Sequence, residues 1–263
     1  MKIVIKVRYD GAAFCGSQVQ PGVPTVQGVL TEAARTVFGF DCDVTGCSRT
    51  DAGVHALSYI ATVAPRERRD DGWCSVPVGK IHRAFNAVLP ESIAVAGAAE
   101  IDDSFHPRYD VLEKRYIYKI CDGVVRDPFL VGRAWQINRR LTDDRLAIMR
   151  RAGEKIVGRH DFACFMAAGS SVGSTVRTVT RAEVARTSPD TVEISVSADG
   201  FLYNMVRIIT GTLVDAAFGR IDPETVPDVI ESRDRTRAGQ TAPAAGLYLA
   251  DVDYGRKIDF EAE

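Results

Sequence analysis

The segment Gly46-Cys47-Ser48-Arg49-Thr50-Asp51-Ala52-Gly53-Val54-His55-Ala56 sets an aspartate between an arginine and a histidine. Its other residues are mostly small, so backbone or ligand can approach closely. A carboxylate is a weak base but a usable nucleophile while ionised, as in covalent glycoside chemistry. A nearby guanidinium favours that form by lowering the carboxyl pKa. The same residues equally suit an Asx-turn with a local surface salt bridge, and residue types alone leave both readings open.

Other chemistries find less support. Cys42 and Cys47 lie five apart with no His or Cys partner at zinc-finger spacing, so they read as buried thiols. Asp41, Asp43, Thr45 and Gly46 begin like a calcium loop, but the twelfth position is Ala52, where a bidentate Glu is required. Gly169-Ser170-Ser171-Val172-Gly173 fits the G-x-S-x-G elbow of serine hydrolases. That fold orders its triad Ser, acid, His, whereas His55, His82, His106 and His160 all precede Ser171. A loop of small residues accounts for the match. There is no Walker loop and no G-x-G-x-x-G, so nothing supports a nucleotide cofactor.

The elements that must position Asp51 follow from hydrophobic period. Ile3, Ile5, Val7 and Tyr9 share one strand face, with Lys2, Lys6 and Arg8 on the other. After a Gly/Pro-rich loop from Gly16 to Pro24, Thr25 stands at an N-cap position. Val26, Val29, Leu30, Ala33, Ala34 and Val37 then trace a helical face. A second helix is expected from about Val78 to Leu89, stopped by Pro90. The stretch Pro65 to Gly72, rich in Arg and Asp, reads as an exposed connection. A second half begins near Phe105-His106-Pro107-Arg108. Tyr116, Tyr118 and Ile120 alternate along a strand. Thr142 caps a helix through Leu146, Met149, Ala152 and Ile156, with Asp143 and Asp144 well placed against its dipole. Val192, Ile194 and Val196 mark another strand, Met205 to Phe218 a mostly apolar helix, and Leu247 and Leu249 a last strand. Strands and helices mix without strict βαβ alternation, which points to α+β with largely antiparallel sheet.

The chain has 263 residues, 46% hydrophobic and 26% charged, enough for a large core and too apolar for a disordered state. No apolar run approaches the ~18 residues of a membrane span. Met1 to Val7 is too short and too alternating for a secretory signal. Six scattered cysteines without a CxxC pair suit a reducing cytosol, so a cytoplasmic protein is expected. Net charge is −2, which by itself argues against a nucleic-acid partner. The total hides an uneven distribution. Residues 106–155 hold 12 Lys+Arg against 7 Asp+Glu, a net of +5 between two acidic flanks. Such a segment can face phosphates or simply be a solvated helix face.

The run from Ser48 to His55 resembles the signature of the TruA family of tRNA pseudouridine synthases. The likeness continues in Tyr9-Asp10-Gly11, Gly16, Gln18-x-Gln20 and Thr25-Val26-Gln27-Gly28-Val29-Leu30. It extends through Asn86-Ala87-Val88-Leu89-Pro90, Phe105-His106-Pro107-Arg108, Lys114-Arg115-Tyr116-Ile117-Tyr118 and His160-Asp161-Phe162. Phe201-Leu202-Tyr203-Asn204-Met205-Val206-Arg207, Gly211-Thr212-Leu213, Gly246-Leu247-Tyr248-Leu249 and Val252-Asp253-Tyr254 complete it. These blocks follow family order over essentially the whole chain.

The resemblance implies the pseudouridine synthase fold. Two α+β halves, 1–105 and 106–263, share a central, mainly antiparallel sheet, with a catalytic cleft between them. It implies isomerisation of uridine to pseudouridine in the tRNA anticodon stem-loop, at positions 38, 39 and/or 40, with no metal or redox cofactor. Asp51 stands at the place of the catalytic aspartate. Tyr116 matches the active-site tyrosine, able to stack on a flipped-out uracil. Arg49 matches the residue that contacts the RNA backbone, and Arg207 the one that pairs with the aspartate. Leu247 is expected to wall the base pocket and Arg108 to contact a phosphate. A cytoplasmic homodimer is expected, with one tRNA across both subunits. The alternative is a non-catalytic tRNA-binding or folding protein on the same scaffold. Three residues depart from the family pattern. Ser48 replaces a glycine and is expected at a constrained, positive φ. Ser17 stands where many members have Trp, removing a large packing or stacking group. Pro107 replaces Ala and stiffens its junction. These bear on site preference within tRNA rather than on the reaction.

Overall fold

A computed structural model describes residues 1–67, 69, 72–169 and 172–261. Ser171, like part of the Arg/Asp-rich connection before Gly72, lies outside the described residues. In chain order the elements begin β1 (Lys2–Tyr9), α1 (Val26–Phe38), β2 (Cys42–Gly46), β3 (His55–Pro65), α2 (Val78–Asn86) and β4 (Ile93–Ile101). They continue β5 (Glu113–Cys121), β6 (Trp135–Gln136), α3 (Asp143–Glu154), β7 (Gly158–Asp161), β8 (Val176–Ser188) and β9 (Thr191–Ala198). The last are α4 (Met205–Ala217), α5 (Val226–Ser232) and β10 (Leu247–Asp253). The chain forms two compact units, residues 1–112 with 249–263, and residues 113–248.

In the first unit β1 lies between β4 and β3 and pairs antiparallel with both, while β2 pairs antiparallel with β3. The alternation read for β1 is therefore incomplete. Val4 is as buried as Ile3 and Ile5, because a central strand has both faces covered. The same burial explains why β3 shows no alternation, whereas β4, an outer strand, alternates buried and more exposed residues from Ile93 to Gly97. His55–Pro65 is almost wholly buried, and β4 reads Ile-Ala-Val-Ala-Gly-Ala-Ala-Glu-Ile. The α1 N-cap stands where the sequence placed it. Thr25 Oγ1 accepts the Gly28 N–H at 3.2 Å, and Gly39 ends the helix at φ 79°. Helix α2 stops at Asn86, three residues short of the expected end. There the Asn86 side chain leaves the helical register to bond both the N–H and the carbonyl of Val95 on β4, at 2.8 and 2.9 Å.

In the second unit β5, β9, β8 and β7 form an antiparallel run, with the two-residue β6 parallel to β5. Tyr116, Tyr118 and Ile120 face the core, as their spacing implies. Thr142 caps α3 with Asp143 and Asp144 in the first turn. In α4 every residue is buried except Arg207, which is half-buried. The fold is α+β with mainly antiparallel sheet, as the pattern of elements implied.

Candidate active site

Asp51 and Arg49 lie in the loop joining β2 to β3, antiparallel neighbours registered Gly46 opposite Ala61. Arg49 is exposed and Asp51 half-buried, while Ser48, Thr50, Val54 and His55 are buried. The backbone beside Arg49 is held from both directions. Ser17 Oγ accepts the Thr50 N–H at 2.8 Å and donates to the Ser48 carbonyl at 3.3 Å. The Ser17 N–H in turn donates to the Thr50 carbonyl at 3.0 Å. Tyr59 Oη donates to the Ser48 carbonyl at 3.2 Å, and the Tyr9 and Thr50 hydroxyls lie 2.8 Å apart. The Val54 N–H closes the turn on the Asp51 carbonyl at 3.1 Å. Close backbone approach demands glycine at two flanking positions. A Cβ on Gly11 would fall 2.1 Å from the Val54 carbonyl oxygen. Gly16, at φ +92°, would set one 2.9 Å from the Thr50 carbonyl oxygen.

Sequence proximity suggested Asp51 flanked by Arg49 and His55. The His55 ring is buried, and its Nδ1 accepts the Gly11 N–H at 3.0 Å, with Asp10 Oδ1 3.1 Å from the same nitrogen. Two expectations are corrected. Ser48 does not occupy a positive φ; among described non-glycine residues only Asn204 and Arg233 do, so the small residue at 48 is needed for burial rather than for backbone strain. Ser17 is not merely a truncated packing group: at 2% exposure its hydroxyl serves the loop.

Also in the first unit, Arg108 donates its backbone N–H to His106 Nδ1 at 3.1 Å. Its Nε is buried without a hydrogen bond among the described residues. Pro107 is buried and its carbonyl accepts from Tyr254 Oη at 2.7 Å, which fixes the segment that carries Arg108. Phe105 packs edge-on against the Tyr254 ring, 5.0 Å between centroids.

The second unit holds Tyr116, Arg207 and Leu247. Tyr116 on β5 is buried opposite Val196 and meets the ring of Phe201 edge-on at 5.0 Å. Arg207, in the first turn of α4, donates Nε–H to the Ala242 carbonyl at 2.7 Å and from a terminal nitrogen to Asn204 Oδ1 at 2.5 Å. Asn204 itself caps α4 at φ 61°, a left-handed position that Asn tolerates better than most residues. The segment from Ala242 to Leu247 is tied down again where Tyr118 Oη donates to the Pro243 carbonyl at 2.7 Å. Gly246 lets the chain pass the Tyr118 ring, since a Cβ there would sit 2.6 Å from it. Burial pushes the Tyr118 phenol well above its usual range, against the opposing charge of Arg207. Arg207 is thus tied to Ala242, five residues before Leu247. The spacing of Tyr118, Asn204 and Gly246 alone assigned them no such part, because their contacts span up to 125 residues.

Cys42 and Cys47 are fully buried, and burial pushes the Cys42 thiol up to about 11. No helix among the described residues is long and apolar enough to cross a membrane.

The chain matches a family model described as tRNA pseudouridine synthase over residues 5–110 and 152–255. Arg49, Asp51, Arg108, Arg207 and Leu247 fall within the matched residues, and Tyr116 between them. With the α+β framework this match defines the class: a pseudouridine synthase, an isomerase that binds RNA. The tRNA pseudouridine synthase A of Thermoanaerobacter sp. (strain X514) is 40% identical over 252 residues, 96% of this chain and 99% of that one. The namesake from Ruminiclostridium cellulolyticum is 38% identical over 253 residues, with the same coverage. The chain belongs to the tRNA pseudouridine synthase family. A crystal structure of a Cbf5-Nop10-Gar1 complex aligns with 81% of this chain and 44% of that chain at TM-score 0.35 and 12% identity, too slight a likeness to bear on function.

Proposed function

We propose that the chain isomerises uridine to pseudouridine in the anticodon stem-loop of tRNA, at position 38, 39 or 40, with Asp51 as nucleophile. The observation that carries this reading is the Asp51 loop. It presents the half-buried Asp51 two residues after the exposed Arg49, on a loop held by Ser17, Tyr59, Tyr9 and Val54. In the reaction the C1′–N1 bond breaks and a C1′–C5 bond forms. The C5 hydrogen leaves as a proton and N1 takes one up, so atoms and charge balance without an oxidant or reductant. In this reading Arg49 contacts the RNA backbone and helps extrude the nucleotide, while Tyr116 stacks on the uracil. Arg207 keeps the carboxylate ionised and oriented. Leu247 forms an apolar wall for the base, and Arg108 contacts a phosphate. We also propose a cytoplasmic homodimer that binds one tRNA across both subunits.

Release of tritium from tRNA carrying 5-³H-uridine tests the assignment directly. Asp51→Asn and Asp51→Ala should fold and bind tRNA like the parent while losing release by roughly 10³-fold or more. Wild-type release by Asp51→Ala would show that another group is the nucleophile. Mapping pseudouridines in tRNA from cells with and without the protein would identify the target positions.

A further inference from the structure

We propose that Ser17 is a positioning residue for the reaction, acting through its buried hydroxyl on the backbone that presents Asp51. The inference rests on Asp51 being the nucleophile. A serine hydroxyl has one proton to give, and here it is directed to the Ser48 carbonyl while a lone pair takes the Thr50 N–H. These two groups lie on either side of Arg49 and immediately before Asp51. The Ser17 N–H adds a third bond, to the Thr50 carbonyl. Residue 17 therefore grips two positions of the loop, Ser48 and Thr50, with three bonds.

The grip holds because Ser17 is itself anchored to a rigid element. The first N–H groups of a helix have no partner inside it. In α1 the Val26 N–H donates to the Gly16 carbonyl at 3.2 Å and the Gln27 N–H to the Ser17 carbonyl at 3.0 Å. Thr25 Oγ1 accepts the next, from Gly28. The end of α1 thus fixes residues 16 and 17, and the Ser17 hydroxyl passes that constraint to residues 48–50. Ser17, Thr25 and Thr50 are each at most 8% exposed, so water does not readily replace these bonds. Tyr9, packed edge-on against Phe14 and Tyr59, adds the hydroxyl contact to Thr50 from β1. Reacting groups must be held to a fraction of an ångström, and a displacement of about 1 Å costs about 100-fold in rate.

The test compares Ser17→Ala, Ser17→Thr, Tyr9→Phe and Asp51→Asn in the tritium-release assay, well below each unfolding transition. Ser17→Ala should lower kcat about 10- to 100-fold with KM for tRNA within about threefold of the parent. Ser17→Thr, which keeps the hydroxyl, should restore most of it. Amide exchange at Thr50 should quicken in Ser17→Ala while the helix amides of α1 stay protected. A folded Ser17→Ala with parental kcat, beside an inactive Asp51→Asn, would overturn the role of Ser17 and leave that of Asp51 standing. An active Asp51→Asn would remove the ground for both. If Ser17→Ala does not fold, Tyr9→Phe decides. A lowered kcat at unchanged KM supports positioning through Thr50, and a parental kcat overturns it.

Discussion

Gly11 and Gly22 separate two reasons for a glycine. A Cβ on Gly11 would collide with backbone of Val54, next to the loop that carries Asp51, whereas Gly22 has open space around it and a φ of +76°. Backbone cannot swing aside as a side chain can, so Gly11→Ala should cost about 2–3 kcal/mol. Gly22→Ala should cost only the left-handed penalty of about 1 kcal/mol. Thermal unfolding of the two variants measures both. Tritium release adds a second check: Gly11→Ala should also lose activity, because the collision displaces Val54, while Gly22→Ala should keep it. At this scale the sequence displayed the reactive types, Asp51 and Arg49, within three adjacent residues. It did not display Ser17, whose contribution depends on a fold that brings it 33 residues along the chain to Thr50.

Among the elements of the second unit, the join between β5, α3 and β8 rests on one carboxylate. The Asp122 side chain is fully buried and accepts the Leu141 N–H at 2.8 Å, just before the Thr142 cap of α3. Arg186 on β8 meets it with two nitrogens at 3.1 and 2.9 Å, and Arg140 at 3.2 Å. Burial alone would raise this carboxyl. The hydrogen bonds from Arg186 and Leu141, with the charges of Arg186 and Arg140, outweigh it and hold the carboxyl below its usual range. A carboxyl lowered on folding stabilises the fold above its unfolded pKa, near 3.9, and that stability is lost as pH falls through the lower folded value. Urea unfolding across a pH series should therefore show stability falling below about pH 4. Asp122→Asn should cost about 1–3 kcal/mol at neutral pH, because it leaves the half-buried Arg186 guanidinium without its counter-charge, and should flatten that acid-side slope.

For the whole molecule, net charge is a poor guide to RNA binding. Residues 106–155 carry the +5 excess, yet several of its arginines are engaged within the second unit. Arg140 pairs with Asp122 and Asp190, Arg150 donates to the Val184 carbonyl, and Arg139 and Arg145 lie over the Phe218 ring. Cations that also bond internally still attract phosphate through their field, but with fewer free donors. The affinity for tRNA should fall with added salt despite the acidic pI near 6.1, with a log–log slope matching a few phosphate contacts rather than twelve. Filter binding over a salt series measures the slope, and a flat response would contradict RNA binding led by phosphate contacts.

The sequence by itself determined the α+β class, the α1 and α3 caps and the family, because these depend on local spacing and on motifs met in order along the chain. Thr25 and Thr142 cap helices by contacts three residues away, which any reading of neighbours can find. Only the tertiary structure decided that His55 turns its Nδ1 to Gly11 and that Ser48 carries no positive φ. It alone showed that β3, buried almost throughout, and β4 flank β1. It also assigned residues 249–263 to the first unit and placed Ser17 under the Asp51 loop. These features depend on pairings between distant segments, which burial and close backbone approach select and local residue order does not record.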